Sequence, residues 1–157
     1  MNKLLQKMGV VAWWAVLPAL IVYLGGRPRT RAVLRCDGKI VAVKGWLGNG
    51  KWSLPGGGLH RGEDPLAGVL REVREEAGLR LQPGQLTRLA TEPSGHHGIR
   101  FPCHYFAADL SQEAPLTAQF GESTEAAWLE TATLGAHNAN PDVLAGLRLA
   151  VPKNSQQ

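Results

Sequence analysis

Residues 57–79 read GGLHRGEDPLAGVLREVREEAGL, and this stretch decides the fold. Asp64 is a good N-cap and Pro65 suits the first helical position. Gly78 stands where a left-handed residue closes a helix. Leu66, Val69, Leu70, Val73 and Ala77 recur at helical spacing and predict the buried stripe. Glu72, Glu75 and Glu76 then share one side of the helix, fanned over roughly 100°. Like charges one turn apart repel by about 0.2–0.5 kcal/mol per pair. Anions near a helix C-terminus oppose the macrodipole by a further ~0.3–1 kcal/mol each. Arg71, four residues before Glu75, relieves only part of this. A divalent cation would relieve the rest, and oxygen-only ligands suit Mg²⁺ or Mn²⁺.

Just upstream, Leu54-Pro55-Gly56-Gly57-Gly58 has almost no side-chain bulk. Glycines let backbone groups approach a metal or a phosphate closely. Taken separately, these signals are weak. A helix carrying Glu and Arg is most often a solvated face, and a glycine-rich turn is common. Here both occur at a fixed spacing: Gly57, five residues, Glu63, seven residues, then Arg71-Glu72-Val73-Arg74-Glu75-Glu76-Ala77-Gly78-Leu79. This resembles the signature of the Nudix (MutT-like) hydrolases, G-x5-E-x7-R-E-U-x-E-E-x-G-U with U aliphatic. Every specified position is matched. The preceding Trp52-Ser53-Leu54-Pro55-Gly56 also looks like the strand that leads into that box.

The resemblance implies metal-dependent hydrolysis of a nucleoside diphosphate-linked substrate, or a similar pyrophosphate, by attack of water at phosphorus. It implies Mg²⁺ or Mn²⁺ held by Glu72, Glu75, Glu76 and the backbone carbonyl of Gly56. Arg71 would steady the helix glutamates through an ion pair, and Glu63 would orient them from the outer shell. A general base in such enzymes can lie outside the box, before a late strand. Residues 121–129, GESTEAAWL, resemble that segment. Glu122 is the first candidate, Glu125 the second, and a box glutamate the third. The alternative to catalysis is a Nudix-fold module that binds a nucleotide without hydrolysing it.

The chain has 157 residues, enough for one domain with a substantial core. Its net charge of +4 is modest, and much of the excess lies near the amino end, so nucleic acid is not an expected partner. A small-molecule nucleotide or pyrophosphate is. Cys36 and Cys103 show no metal-binding spacing and read as reduced, packed thiols. Trp46 and Trp52 could stack on a base, although strand-edge packing is the commoner use of such residues. His96 and His97 read as exposed loop residues.

Sheet strands are expected at 31–36 and 39–44, joined by an Asp37-Gly38 hairpin turn. Gly48-Asn49-Gly50 makes the next turn, followed by a strand at 51–54. Further strands are expected at 86–91, at 99–110 with an interruption at Pro102, and at 126–130. A last helix opens at Asn140-Pro141, with Val143, Leu144, Leu147 and Ala150 as its apolar face. Trp128 and Phe106 are expected in the core. The resulting fold class is α/β: a Nudix-type α/β/α sandwich with a mixed sheet, spanning 29–151, with a flexible tail at 152–157.

The first 28 residues form a hydrophobic segment ahead of that domain. Residues 8–26, MGVVAWWAVLPALIVYLGG, carry no charge. As a helix they would extend about 28 Å, close to the thickness of a bilayer's hydrocarbon. Lys3 and Lys7 precede them, and Arg27, Arg29, Arg31 and Arg35 follow, which favours a cytoplasmic domain anchored to the inner face of the membrane. A packed helix, a contact within a homodimer and a signal peptide are the competing uses. A membrane anchor predicts that the full-length chain pellets with membranes in detergent-free fractionation. Recovery wholly in the soluble fraction would defeat it.

Overall fold

The computed structural model describes residues 27–45, 49–96, 99–118 and 123–151. The hydrophobic segment 8–26, Trp46, Gly48, His97, Glu122 and the tail 152–157 lie outside the described residues. Among those described, no helix is long and apolar enough to cross a membrane.

Five strands form one mixed sheet. They are β1 (Arg29–Cys36), β2 (Lys39–Gly45), β3 (Thr87–His96), β4 (Ile99–Asp109) and β5 (Ser123–Glu130), in spatial order β3-β4-β1-β2-β5. Only β1 and β4 run parallel; the other neighbours are antiparallel. Helices α1 (Pro65–Ala77) and α2 (Pro141–Ala150) cover the two faces. Side-chain alternation along the central strands explains the layering. Ala32, Leu34, Phe106 and Ala108 face α1 with Val69, Val73 and Ala77. Val33, Tyr105 and Ala107 face α2 with Leu54 and Val143. Both faces of β1 and β4 are buried, so these strands read as apolar runs rather than as alternations.

Local chemistry accounts for most boundaries. Asp37 and Gly38 both take positive φ, 45° and 79°, and return β1 into β2. The Asp64 carboxylate accepts from the backbone N–H groups of Leu66 and Ala67, and Gly78 closes α1 at φ 73°. α2 starts differently. Asn140 makes no side-chain cap; its Nδ2 donates to Ser53 Oγ at 2.8 Å, tying the helix start to the chain that enters the glycine loop.

Three expectations change. Residues 51–54 form no strand, only single bridges from Ser53 to Val43 and from Trp52 to Ala139. β4 is not interrupted at Pro102. Pairing of β1 with β4 begins at Arg29 opposite Cys103, so Pro102 lies past the end of β1 and its missing N–H deprives no neighbour there. Trp128 is half-buried rather than enclosed, with its indole N–H donating to the Ala114 carbonyl at 2.9 Å. Phe106 is buried as expected, and both cysteines are buried and free.

Gly146 is where α2 meets the sheet most closely. A Cβ there would lie 2.5 Å from Leu54 Cδ1 and 2.9 Å from Val33 Cγ2. Alanine would gain about 1 kcal/mol of helix propensity. Overpacking a filled interior costs about 1–3 kcal/mol, and Leu54 and Val33 are fully buried. Packing therefore outweighs propensity, and Gly146→Ala should lower the unfolding midpoint by a few degrees. A raised midpoint in calorimetry would show that these neighbours give way.

Candidate active site

The glycine loop is fastened to the start of β1 like an extra strand. Ala32 N–H donates to the Pro55 carbonyl, Thr30 N–H to the Gly57 carbonyl and Leu59 N–H to the Pro28 carbonyl, each at 2.9 Å. This brings bare backbone alongside α1. Gly56 has φ 141°, and a Cβ there would lie 2.1 Å from the Thr30 carbonyl oxygen, so no side chain fits. A Cβ on Gly57 would lie 2.5 Å from Glu72 Oε1. The missing side chain of Gly57 is thus filled by the Glu72 carboxylate, which is buried.

The helix acids are held from two directions. Glu76 Oε2 accepts the Gly56 N–H at 2.8 Å, linking the helix directly to the loop. Arg71 gathers the others. Its Nε donates to Glu63 Oε1 at 2.9 Å and its Nη2 to Glu63 Oε2 at 3.1 Å, a two-armed fork. Its Nη1 donates to Glu72 Oε1 at 2.8 Å and to Glu75 Oε2 at 2.9 Å. Nη2 also donates to the Gly58 carbonyl at 3.3 Å. Among the described residues, no three acidic, histidine or cysteine side chains converge as a ready set of metal ligands. Glu72 and Glu75 are drawn to Arg71, and Glu76 is drawn to the loop.

These contacts set the titration of the cluster. The Arg71 guanidinium, helped by the His60 N–H at 2.7 Å, holds the Glu63 carboxyl down at about 2 against the opposing effect of burial. Arg71 in turn is pushed above the usual guanidinium value by its bond to Glu63 and then by Glu72 and Glu75, although burial opposes this.

The sequence-predicted residues divide. Gly56, Glu63, Arg71, Glu72, Glu75 and Glu76 form one bonded cluster. Glu125 is exposed on β5, its Oε2 accepting from Lys44 Nζ at 2.8 Å. Two polar residues escaped the sequence reading. Arg31 of β1 points to the α2 side of the sheet, where its Nε meets Asp142 Oδ2 at 2.8 Å, and its Nη1 donates to the Gly56 carbonyl. Burial lowers the affinity of Arg31 for its proton, but Asp142 and then Glu76 outweigh it, so its pKa is raised. Arg31 borders a recess of about 70 Å³ that also takes in Arg29, Ser53, Phe101 and Asn140. Arg29 lies 4.8 Å above the Phe101 ring. The available signal was the pattern Arg29-x-Arg31-x-Val33, two cations on the face of a strand that then turns apolar.

Comparison with known proteins follows the same outline. A sequence model of the NUDIX domain matches residues 26–147. An uncharacterized Nudix hydrolase, orf19, of Rhodococcus erythropolis is 32% identical over 133 residues, covering 82% of this chain and 69% of that protein. A MutT-like protein of Streptomyces ambofaciens is 47% identical over 55 residues, and the match spans only 35% of the length of either chain. Among solved structures, a MutT NUDIX hydrolase from Burkholderia pseudomallei superposes with a TM-score of 0.69 at 21% identity, covering 80% of this chain and 98% of that one. At that identity the likeness is one of fold.

The depressed pKa of Glu63 fixes a pH dependence. Its charged form contributes its full stability above the ordinary value of 4.5, and that contribution is lost as pH falls through about 2. Glu63→Gln should therefore be less stable than the parent near neutrality, with the difference shrinking as pH drops through that window. Urea unfolding across a pH series measures this. A parent-to-variant difference that stays constant with pH would contradict it.

Proposed function

This chain belongs to the Nudix family, and from that premise we propose that it hydrolyses a phosphoanhydride bond in a nucleoside diphosphate-linked substrate by attack of water at phosphorus. The observation that carries this is the folded box: the helix glutamates stand against a glycine loop whose backbone is bare, and Arg71 binds three of the four box carboxylates.

A divalent cation is implied by the family, and the residues suit one. The available donors are all oxygens, which match Mg²⁺ or Mn²⁺. The Gly57 cradle leaves room for the Glu72 carboxylate that a side chain would displace. Glu72, Glu75, Glu76 and the Gly56 carbonyl would hold the ion. When bound, it supplies charge neutralisation on the diphosphate and lowers the pKa of attacking water.

The chain's own residues do the rest. Phosphoryl transfer asks mainly for positioning and electrostatics. Arg71 orders the acidic side chains and Glu63 anchors Arg71 through the fork. The glycine loop keeps side chains out of the space that a diphosphate needs. We assign proton removal from water to Glu122 first, because it belongs to the segment that resembles the family's late acidic loop. Glu125 ranks lower, since Lys44 already binds its carboxylate; a box glutamate is the remaining candidate.

A screen of nucleotide and pyrophosphate substrates with Mg²⁺ and Mn²⁺ tests the proposal. Turnover should require the cation and be abolished in Glu76→Gln. Glu122→Gln should fold normally and lose roughly 10²–10⁴-fold in turnover, the usual worth of a general base. No turnover on any substrate, or a Glu76→Gln variant as active as the parent, would sink the catalytic reading. Normal turnover in Glu122→Gln would transfer the base to another glutamate.

A further inference from the structure

The ion pair between Arg31 and Asp142 is buried, with side chains only 13% and 10% exposed. It joins the first turn of α2 to β1 and to the glycine loop. Asp142 Oδ2 accepts from Arg31 Nε at 2.8 Å and from the Leu54 N–H at 3.2 Å. Asp142 Oδ1 is also buried, yet it accepts no hydrogen bond among the described residues. A buried carboxylate oxygen without a donor is costly, and its position needs a reason. The other end of Arg31 supplies one. Its Nη1 donates to the Gly56 carbonyl, whose own N–H is held by Glu76. The guanidinium therefore stands at the oxygen assigned above to a cation, and within the field of Glu76.

A carbonyl oxygen can accept from two groups, but a guanidinium and a divalent cation on one oxygen repel each other. Resting on the assignment of Gly56 as a cation ligand, we infer that Arg31 is a positioning residue that holds the Gly56 carbonyl in the cation-free protein and yields it to the divalent ion, with Asp142 Oδ1 receiving the released guanidinium. Moving off the carbonyl lets Arg31 close a two-armed fork on both oxygens of Asp142. The cation-bound state then supplies the buried Asp142 Oδ1 with the donor that the cation-free state lacks. The device also places an element of the opposite layer, the start of α2, in contact with the box.

Binding of Mn²⁺ to the full chain without substrate, followed by electron paramagnetic resonance, tests this together with the Arg31 guanidinium NMR signal of the parent titrated with Mg²⁺. Arg31→Met removes the competing charge and should bind Mn²⁺ about tenfold more tightly. Asp142→Asn leaves the charge in place, strips its counter-ion and should bind several-fold more weakly. In the parent, the Arg31 guanidinium signal should move on saturation with Mg²⁺. A pair with a merely structural role predicts loss of stability in both variants and a guanidinium signal indifferent to Mg²⁺. Variants that shift affinity in the same direction or not at all, or an unmoved guanidinium signal, overturn the inference; the NMR arm needs no variant to fold. Absence of Mn²⁺ binding by the parent overturns the cation assignment and this inference together, whereas normal binding with an unmoved Arg31 overturns this one alone.

Discussion

The guanidinium of Arg71 stands among the carboxylates of Glu63, Glu72 and Glu75 and touches the Gly58 carbonyl. This arrangement is the constraint on which the site depends. Glu72 is buried, and a buried carboxylate without a partner is expensive by several kcal/mol. Arg71 offsets that cost and fixes the geometry of its neighbours, since a planar fork accepts a carboxylate in few orientations. The same bond sets the low pKa of Glu63. An ion pair of this kind is weak evidence for extra stability. Its stronger consequence is order: three acidic side chains keep one arrangement beside the glycine loop.

Loop and sheet complete the frame. Backbone bonds from Thr30 and Ala32 hold the loop to β1, and Glu76 holds it to α1. β1 is central, paired in parallel with β4 and antiparallel with β2, and both its faces are covered. The site thus rests on the central strand of the sheet. The far side of that strand carries Arg31, which meets Asp142 from α2, so all three layers converge within a few side chains of Gly56.

Much of this was legible in the chain. α1 could be drawn from Asp64, Pro65 and Gly78 because caps act within one turn. The turn at Asp37-Gly38 could be drawn because both residues accept positive φ. Arg71 and Glu75 are four positions apart on α1, so their meeting followed from helical spacing, whereas Glu63 precedes the helix and was placed by the family motif. The link from Gly56 to Glu76 was suggested by the family motif rather than by the local pattern. Misreadings arose where neighbours decide. Residues 51–54 have the composition of a strand but bridge at only two points, and Pro102 is tolerated because β1 ends beside it. Neither fact is encoded near the residues concerned.

Short-range chemistry, acting through caps, turn residues and helical period, sufficed to specify α1, the first hairpin, the glycine loop and the acidic cluster. The parallel pairing of β1 with β4, the division of the core between two helices, and the contact of Arg31 with Asp142 and Gly56 required the assembled sheet. Strand order depends on which faces can be buried together across long stretches of chain. A buried charge finds its partner only after that choice has been made.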